Sequence, residues 1–288
     1  MMTFRNCPPL NILLAVDGSA HARAAVQLLG GLPLPSSSQV TAVGVVTPRH
    51  TPGQEALSTA LIETQMILGG TGVRVTTELL YGHPAQALTD FAEAHQPALI
   101  VVGAKGLRAT LGILLGGVAQ QVVEYGRQPV LVVRAPYQAL RHVLLVTDGS
   151  APSQHAVNYL ARFPLPAGAK TWVMHVLPPR PDPETLVPEA REIMTRVVEY
   201  EQHEGQIMVE QATQKLQTAQ LQAEPILAHG DAATEIIEYA KEHSIDLVVS
   251  GSRGLSQVKG WYLGSVSRKL VHYAHCSVLI VKDNAPLE

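Results

Sequence analysis

Two tandem α/β units, each built on a doubly wound parallel sheet, are what the sequence predicts, and three observations predict them. The 288-residue chain repeats itself from end to end. Its apolar runs are short and unbroken, as strands buried on both faces require. Helical periodicities separate those runs, so successive strands must pair in parallel through crossovers.

The repeat is explicit. Leu10-Asn-Ile-Leu-Leu-Ala-Val-Asp17-Gly-Ser-Ala20 returns as Arg141-His-Val-Leu-Leu-Val-Thr-Asp148-Gly-Ser-Ala151, with the two aspartates 131 positions apart. Ala98-Leu-Ile-Val-Val-Gly103 returns as Asp246-Leu-Val-Val-Ser-Gly251, with the glycines 148 apart. The change from 131 to 148 places an insertion of about 17 residues in the second copy. Thr41 to Pro48 matches Thr171 to Pro178 at an offset of 130, so the insertion follows the second strand. The units divide near residue 138, giving domains 1–138 and 139–288. Such a length suits two domains of ordinary size.

The elements follow in order. First strands fall at Ile12 to Val16 and Val143 to Val146, each closed by Asp-Gly-Ser. Helices come next, with Ala22, Val26 and Leu29 on one face in the first copy and Ala156, Leu160 and Phe163 in the second. Second strands are expected at Val40 to Val46 and Thr171 to Leu177, and third strands near Arg74 to Leu80 and Ala223 to Ala228. Gly82 and Gly230 turn the chain into further helices, where Leu88 and Phe91 match Ile236 and Tyr239; Pro84 suits a first helical turn. Val130 to Arg134 and Val278 to Lys282 close the copies as edge strands. Between Glu184 and Leu221, apolar residues from Ile193 to Ala219 keep helical spacing and Gly205 interrupts them, which predicts one or two helices over the sheet.

Composition excludes several classes. A net charge of −3 argues against a nucleic-acid binder. No run of 18 apolar residues predicts a membrane span, and the N-terminus lacks the pattern of a signal peptide. Cys7 and Cys276 stand far apart and form no spaced metal set, which fits reduced thiols and a cytoplasmic protein. His272, His275 and Cys276 cluster, but as a helix end followed by a strand start, so no metal site is assigned. His175 and His229 read as core or surface residues. Gly-x4-Gly-Lys-Ser/Thr is absent, as is Gly-x-Gly-x2-Gly after a first strand. No nucleophile and base are placed together by sequence, so no catalytic residue is assigned.

The chemistry concentrates after the fourth strand of the second copy, in Gly251-Ser-Arg-Gly254, then nine residues, then Gly264-Ser265-Val266-Ser267. Glycines there let backbone amides approach an anion closely. The following helix offers unpaired amides and the positive end of its dipole, and Ser265 and Ser267 add hydroxyls. In an open α/β sheet ligands lodge beyond the carboxyl ends of the strands, where strand order reverses. With the order 3-2-1-4-5, Asp148 and Gly251 would flank that crevice.

Gly-x2-Gly-x9-Gly-Ser resembles the nucleotide-binding signature of the universal stress proteins, and the resemblance covers nearly the whole chain twice. It implies a Rossmann-like sheet of order 3-2-1-4-5 in each copy and pairing of the copies through their last strands about a pseudo-two-fold axis. It also implies an adenine-nucleotide pocket, with ATP as the ligand and any Mg²⁺ carried by the phosphates. Thr147 and Asp148 would then meet the adenine or ribose, Val176 would line the base or ribose, and Ser250 would sit against the base. Gly251, Arg253, Gly254, Gly264, Ser265, Val266 and Ser267 would wrap the ribose and phosphates.

The first copy departs from this pattern. Asp17, Gly103, Gly106 and Gly116 stand in place, yet Gly117 and Ala119 replace the two serines. A hydrogen bond to a charged group is worth roughly 1.5–3 kcal/mol, so losing two would weaken binding about 100-fold or more. This site is expected to be weak or empty. The implied role is a non-catalytic ATP-binding regulator of stress survival, against a slow ATP-hydrolysing enzyme or a structural module with empty pockets. A homodimer and further protein partners stay open.

Overall fold

The computed structural model describes residues 7–47, 53–106, 114–180, 187–254 and 263–282. The first unit runs β1 (Asn11–Ala15), α1 (Ala20–Gly31), β2 (Gln39–Val46), α2 (Gly53–Gly69), β3 (Arg74–Tyr81), α3 (Pro84–His95), β4 (Leu99–Gly103), α4 (Gly117–Tyr125) and β5 (Val130–Val133). The second runs β6 (His142–Val146), α5 (Ala151–Arg162), β7 (Lys170–Leu177), α6 (Pro188–Thr218), β8 (Gln222–His229), α7 (Ala232–Glu242), β9 (Leu247–Gly251), α8 (Ser265–Tyr273) and β10 (Ser277–Val281). Central strands such as Leu99 to Val102 and Val278 to Val281 are buried along both faces, which explains their unbroken apolar runs.

All strands join one ten-stranded sheet in the order β3-β2-β1-β4-β5-β10-β9-β6-β7-β8. Each half therefore has the expected order 3-2-1-4-5. Pairing is parallel within each half and antiparallel only at β5–β10, where Leu131 faces Leu279. The strands of the two halves thus run in opposite directions, and their carboxyl ends lie at opposite edges of the sheet.

Register corrects the offset read from sequence for the second strands. Ala15 pairs with Val43 and Val146 with Met174, so β2 and β7 correspond at 131 rather than 130. The Thr-Val pattern tolerates a slip of one residue; the ladder does not, because a slip turns every side chain to the other face.

The inserted residues extend one helix. α6 is continuous through Gly205, which is buried in it rather than breaking it. At an offset of 148, Gly53 at the start of α2 corresponds to Glu201, so residues 188–200 have no counterpart and add roughly 20 Å of helix. That extension exposes Ile193, Val197 and Tyr200. Gly205 is explained by an exchange between the copies. In the first, a Cβ on Gly44 would lie 2.9–3.0 Å from the Leu57 side chain, so the strand glycine receives a helix leucine. In the second, His175 occupies the strand position and Gly205 the helix position, where a Cβ would meet His175 at 3.1 Å and Leu227 at 3.0 Å.

The junction of the halves is polar as well as apolar. Arg134 reaches across to donate to the carbonyls of Val271 (2.8 Å) and His272 (3.2 Å), and to Leu114 O (2.7 Å). Lys282, its counterpart, donates to Val123 O (2.6 Å) from a buried position. Two cations thus meet last-turn carbonyls of the opposite unit's final helix, the end where positive charge is favoured. The buried Tyr159 hydroxyl donates to Ala98 O (3.0 Å), and burial pushes its pKa up. Ala135 N donates to His21 Nδ1 (2.9 Å), which requires that nitrogen unprotonated.

Lys282→Met leaves Val123 O without its cation and should destabilise the protein by about 2 kcal/mol, read as a lower denaturation midpoint. Burial, foremost, lowers the pKa of His21, His272 and His275 below 6.5. The unfolded chain then takes up protons first as pH falls. Their stabilising contribution is full above 6.5 and lost progressively below it. Thermal melting between pH 7.5 and about pH 5 should show Tm falling with pH.

Candidate functional site

The second unit's candidate site is built where β6 and β9 end. After β6, Asp148 forms a tight turn: its Oδ1 accepts from Ser150 N (3.1 Å) and Ser150 Oγ (2.5 Å). Ser150 in turn accepts from Ser153 N (3.4 Å) and caps α5. Gly149 adopts φ +76°, which this turn demands. Thr147 is buried, and its hydroxyl donates to Ser153 Oγ (3.1 Å).

After β9 the chain passes close beneath this turn. A Cβ on Gly251 would lie 2.7 Å from the Pro152 carbonyl and 2.9 Å from Ser153 N, so only glycine lets the strand end touch α5. A Cβ on Gly254 would lie 2.5 Å from Asp148 Oδ2. Gly264 N donates to Ser252 O (2.8 Å), closing the loop, while Ser252 N is tied to Val281 O (2.8 Å). Between them, residues 255–262 lie outside the described residues, as do 107–113 of the first copy.

Helix α8 starts from Gly264 with no side-chain cap, and its first backbone bond is Arg268 N to Gly264 O. The amides of Ser265, Val266 and Ser267 precede that bond and have no carbonyl four residues back. α1, α5 and α7 differ, since Ser19, Ser150 and Asp231 cap them.

The structure therefore brings Asp148, Gly251, Gly254, Gly264 and the start of α8 into one cluster. Arg253 and Val266 are half-buried beside it, and Ser265 is exposed on the first turn. Val176 is half-buried on β7, one strand away, at the position matching Val45 in the first copy. The buried Ser267 hydroxyl donates to Gly251 O (2.8 Å), and Ser250 Oγ, 3.5 Å from it, donates to the same carbonyl (3.0 Å). Ser267 thus shapes the strand end through its side chain, while its amide belongs to the uncapped first turn of α8. Ser153 escaped the sequence reading, and Ser150 and Ser252 stood in its motifs without a role. Comparing the copies could have exposed Ser153, since the first has Val16 and Ala22 where the second has Thr147 and Ser153.

The first unit repeats the frame. A Cβ on Gly106 would lie 2.7 Å from Asp17 Oδ2, and Gly116 N donates to Ala104 O (2.7 Å). Asp17 Oδ1 accepts from Ser19 N (2.9 Å). α4 also starts without a side-chain cap. Beside this turn lies a cavity of about 530 Å³.

This frame occurs twice in the chain, and a family model described as "Universal stress protein family" matches residues 10–134 and again 139–282. The chain belongs to the universal stress protein family. It is 33% identical over 151 residues to universal stress protein YxiE of Bacillus subtilis, covering 49% of this chain and 97% of that one. Universal stress protein MJ0531 of Methanocaldococcus jannaschii is 27% identical over 159 residues, covering 52% and 87%. Each relative thus spans about half of this tandem universal stress protein. Among solved structures, a universal stress protein from Archaeoglobus fulgidus covers 95% of this chain and 96% of its own at a TM-score of 0.64 and 18% identity. PA1789 from Pseudomonas aeruginosa, described as functionally unknown, covers 97% and 94% at 0.67 and 16%. These likenesses extend the shared fold across both units.

Among the described residues, no group of three His, Cys, Asp or Glu side chains is placed to hold a metal, and no helix is long and apolar enough to cross a membrane. Burial, above all, pushes the Cys276 thiol up to about 12, so thiolate is scarce at neutral pH. Alkylation of the folded universal stress protein at pH 8 should spare Cys276, whereas denatured protein should label it. Peptide mass spectrometry would separate the two cases.

Proposed function

We propose that the second unit, 139–288, is an ATP-binding domain and that the protein is a non-catalytic regulator of the stress response. The observation that carries the reading is the approach of Gly254 to Asp148, closer than any side chain would permit. It supports a site in which a glycine turn, an acceptor carboxylate and an uncapped helix start come together. Asp148 and Thr147 would face the ribose and adenine, with Val176 and Ser250 on the base side. The amides of Gly254, Ser265, Val266 and Ser267 would take the phosphates, joined by the Ser265 hydroxyl and Arg253, with Gly251 and Gly264 giving room for that approach. Any Mg²⁺ would arrive with the phosphates.

In the first unit, 1–138, the triphosphate is expected to bind weakly. Gly117 removes the hydroxyl of Ser265, which is exposed on the first turn of α8; Ala119 removes only an internal bond, since its counterpart Ser267 donates to Gly251 O. The antiparallel β5–β10 junction supports the idea that one chain imitates a dimer of single-unit relatives. Further homodimerisation and partner proteins, and placement in the cytoplasm, belong to the same reading.

Calorimetric titration with ATP tests it. The wild-type chain should bind, and Ser265→Ala with Ser267→Ala should weaken affinity about tenfold or more, a loss of about 1.4 kcal/mol. Gly254→Ala, which drives a methyl into the Asp148 carboxylate, should cost at least about as much affinity with little loss of Tm. Unchanged affinity in both variants would remove the site from this cleft. ADP formation well above background would replace the regulator with a slow ATPase.

A further inference from the structure

The cavity of about 530 Å³ in the first unit has the volume of an ordinary small-molecule site. It lies at the carboxyl ends of β1 and β4, against the start of α4. Its walls are aliphatic, with Val16, Val43, Val45, Leu57, Leu88 and Val102 among them. Five hydroxyls that the second copy carries at equivalent positions are missing. Thr147, Ser153, Ser250, Ser265 and Ser267 are answered here by Val16, Ala22, Val102, Gly117 and Ala119, all lining the cavity. These are whole interactions exchanged, not scattered changes. The Thr147–Ser153 bond becomes a Val16–Ala22 contact position, and the Ser250–Ser267 pair becomes Val102 and Ala119, all buried.

The polar groups in the lining are few, and one of them, Thr47, stands where the second copy has Pro178. Ser19 lines the cavity, but its hydroxyl donates to Lys105 O (3.1 Å) and accepts from Ala22 N (3.1 Å). Lys105 brings one positive charge to the wall and Asp17 one negative charge, with the exposed His83 at the rim. Lys105 and Asp17 match Arg253 and Asp148, so the charge is the same in both copies and the difference lies in the walls, where the hydroxyls of a ribose and the oxygens of a phosphate chain would meet methyl groups and go unpaired, which is costly. One negative charge can be met by Lys105 and the amides that open α4. Gly117 widens the mouth, since a Cβ there would meet nothing within 4 Å.

We infer that the first unit is a ligand site of separate chemistry, which takes a largely apolar organic molecule carrying a single negative charge rather than a nucleoside triphosphate. The universal stress protein chain then holds two unlike sites at opposite edges of one sheet. Their ligands cannot touch, and any coupling between them passes through the β5–β10 junction.

8-Anilinonaphthalene-1-sulfonate, an aromatic monoanion, is a suitable probe for fluorescence titration of the full chain with and without ATP. It should bind saturably at one site per chain, with the same affinity in both conditions. Gly117→Trp, at a helix start of ordinary φ with open space around it, should plug the mouth and weaken the probe about tenfold or more. Val102→Ser with Ala119→Ser, which restores the second copy's hydroxyl pair, should weaken it in the same direction. Far-ultraviolet circular dichroism and Tm should be unchanged in both variants. Equal probe affinity in wild type and both variants would overturn the inference by placing the probe elsewhere. It would also fall if ATP displaced the probe and calorimetry counted two ATP per chain, one of them lost in Gly117→Trp. Loss of ATP binding by Gly254→Ala reports on the second unit alone, so the two readings fail separately.

Discussion

The antiparallel pairing of β5 with β10 is the interaction on which the rest of this molecule depends. Each half, taken alone, would end in a short, largely apolar edge strand with a row of open backbone groups, the kind of edge that recruits other chains. Joining the two edges satisfies both rows and buries both faces of Val130 to Val133 and Val278 to Val281. It also brings Arg134 and Lys282 against the final helix of the opposite half, where each meets backbone carbonyls. A charge removed from water is tolerable only with such partners. The junction therefore specifies which edge meets which, as well as contributing apolar burial.

That pairing has a consequence for function. Because the halves run in opposite directions, their strand ends face away from each other. Duplication has therefore left two strand-end regions that are free to diverge without interfering sterically. The divergence is chemical rather than architectural. Both copies keep the aspartate turn, the two glycines that crowd it and the uncapped helix start. What differs is the wall: hydroxyl pairs in the second, methyl-bearing side chains in the first. A frame made of backbone and glycine holds its shape while the side chains around it change.

The Gly44–Leu57 and His175–Gly205 exchange shows the same tolerance in the packing of α2 and α6. Volume moves from helix to strand, and the helix stays against the sheet at the density a protein interior requires. Where the second copy has extra residues, they lengthen α6 past the sheet instead of disturbing it, and the apolar side chains Ile193, Val197 and Tyr200 stay exposed as a result.

Much of this was legible in the sequence because its signals are local or repeated. Unbroken apolar runs require strands buried on both faces, the Asp-Gly-Ser turns mark where they end, and the spacing of glycines around the fourth strand marks the loop. The strand order and the pairing of the last strands followed from the resemblance those motifs carry. The tertiary structure decided what depends on contacts distant along the chain. It set the register of β2 and β7, since a slip of one residue hardly alters a Thr-Val pattern but inverts every side chain. It kept α6 whole through Gly205, because the glycine's reason is a histidine 30 residues earlier on another element. It turned the Ser267 hydroxyl toward Gly251, because a buried donor takes the nearest carbonyl. And it opened a cavity in the copy whose loop had lost its serines, since that space is bounded by strand ends and helix starts that no stretch of sequence contains.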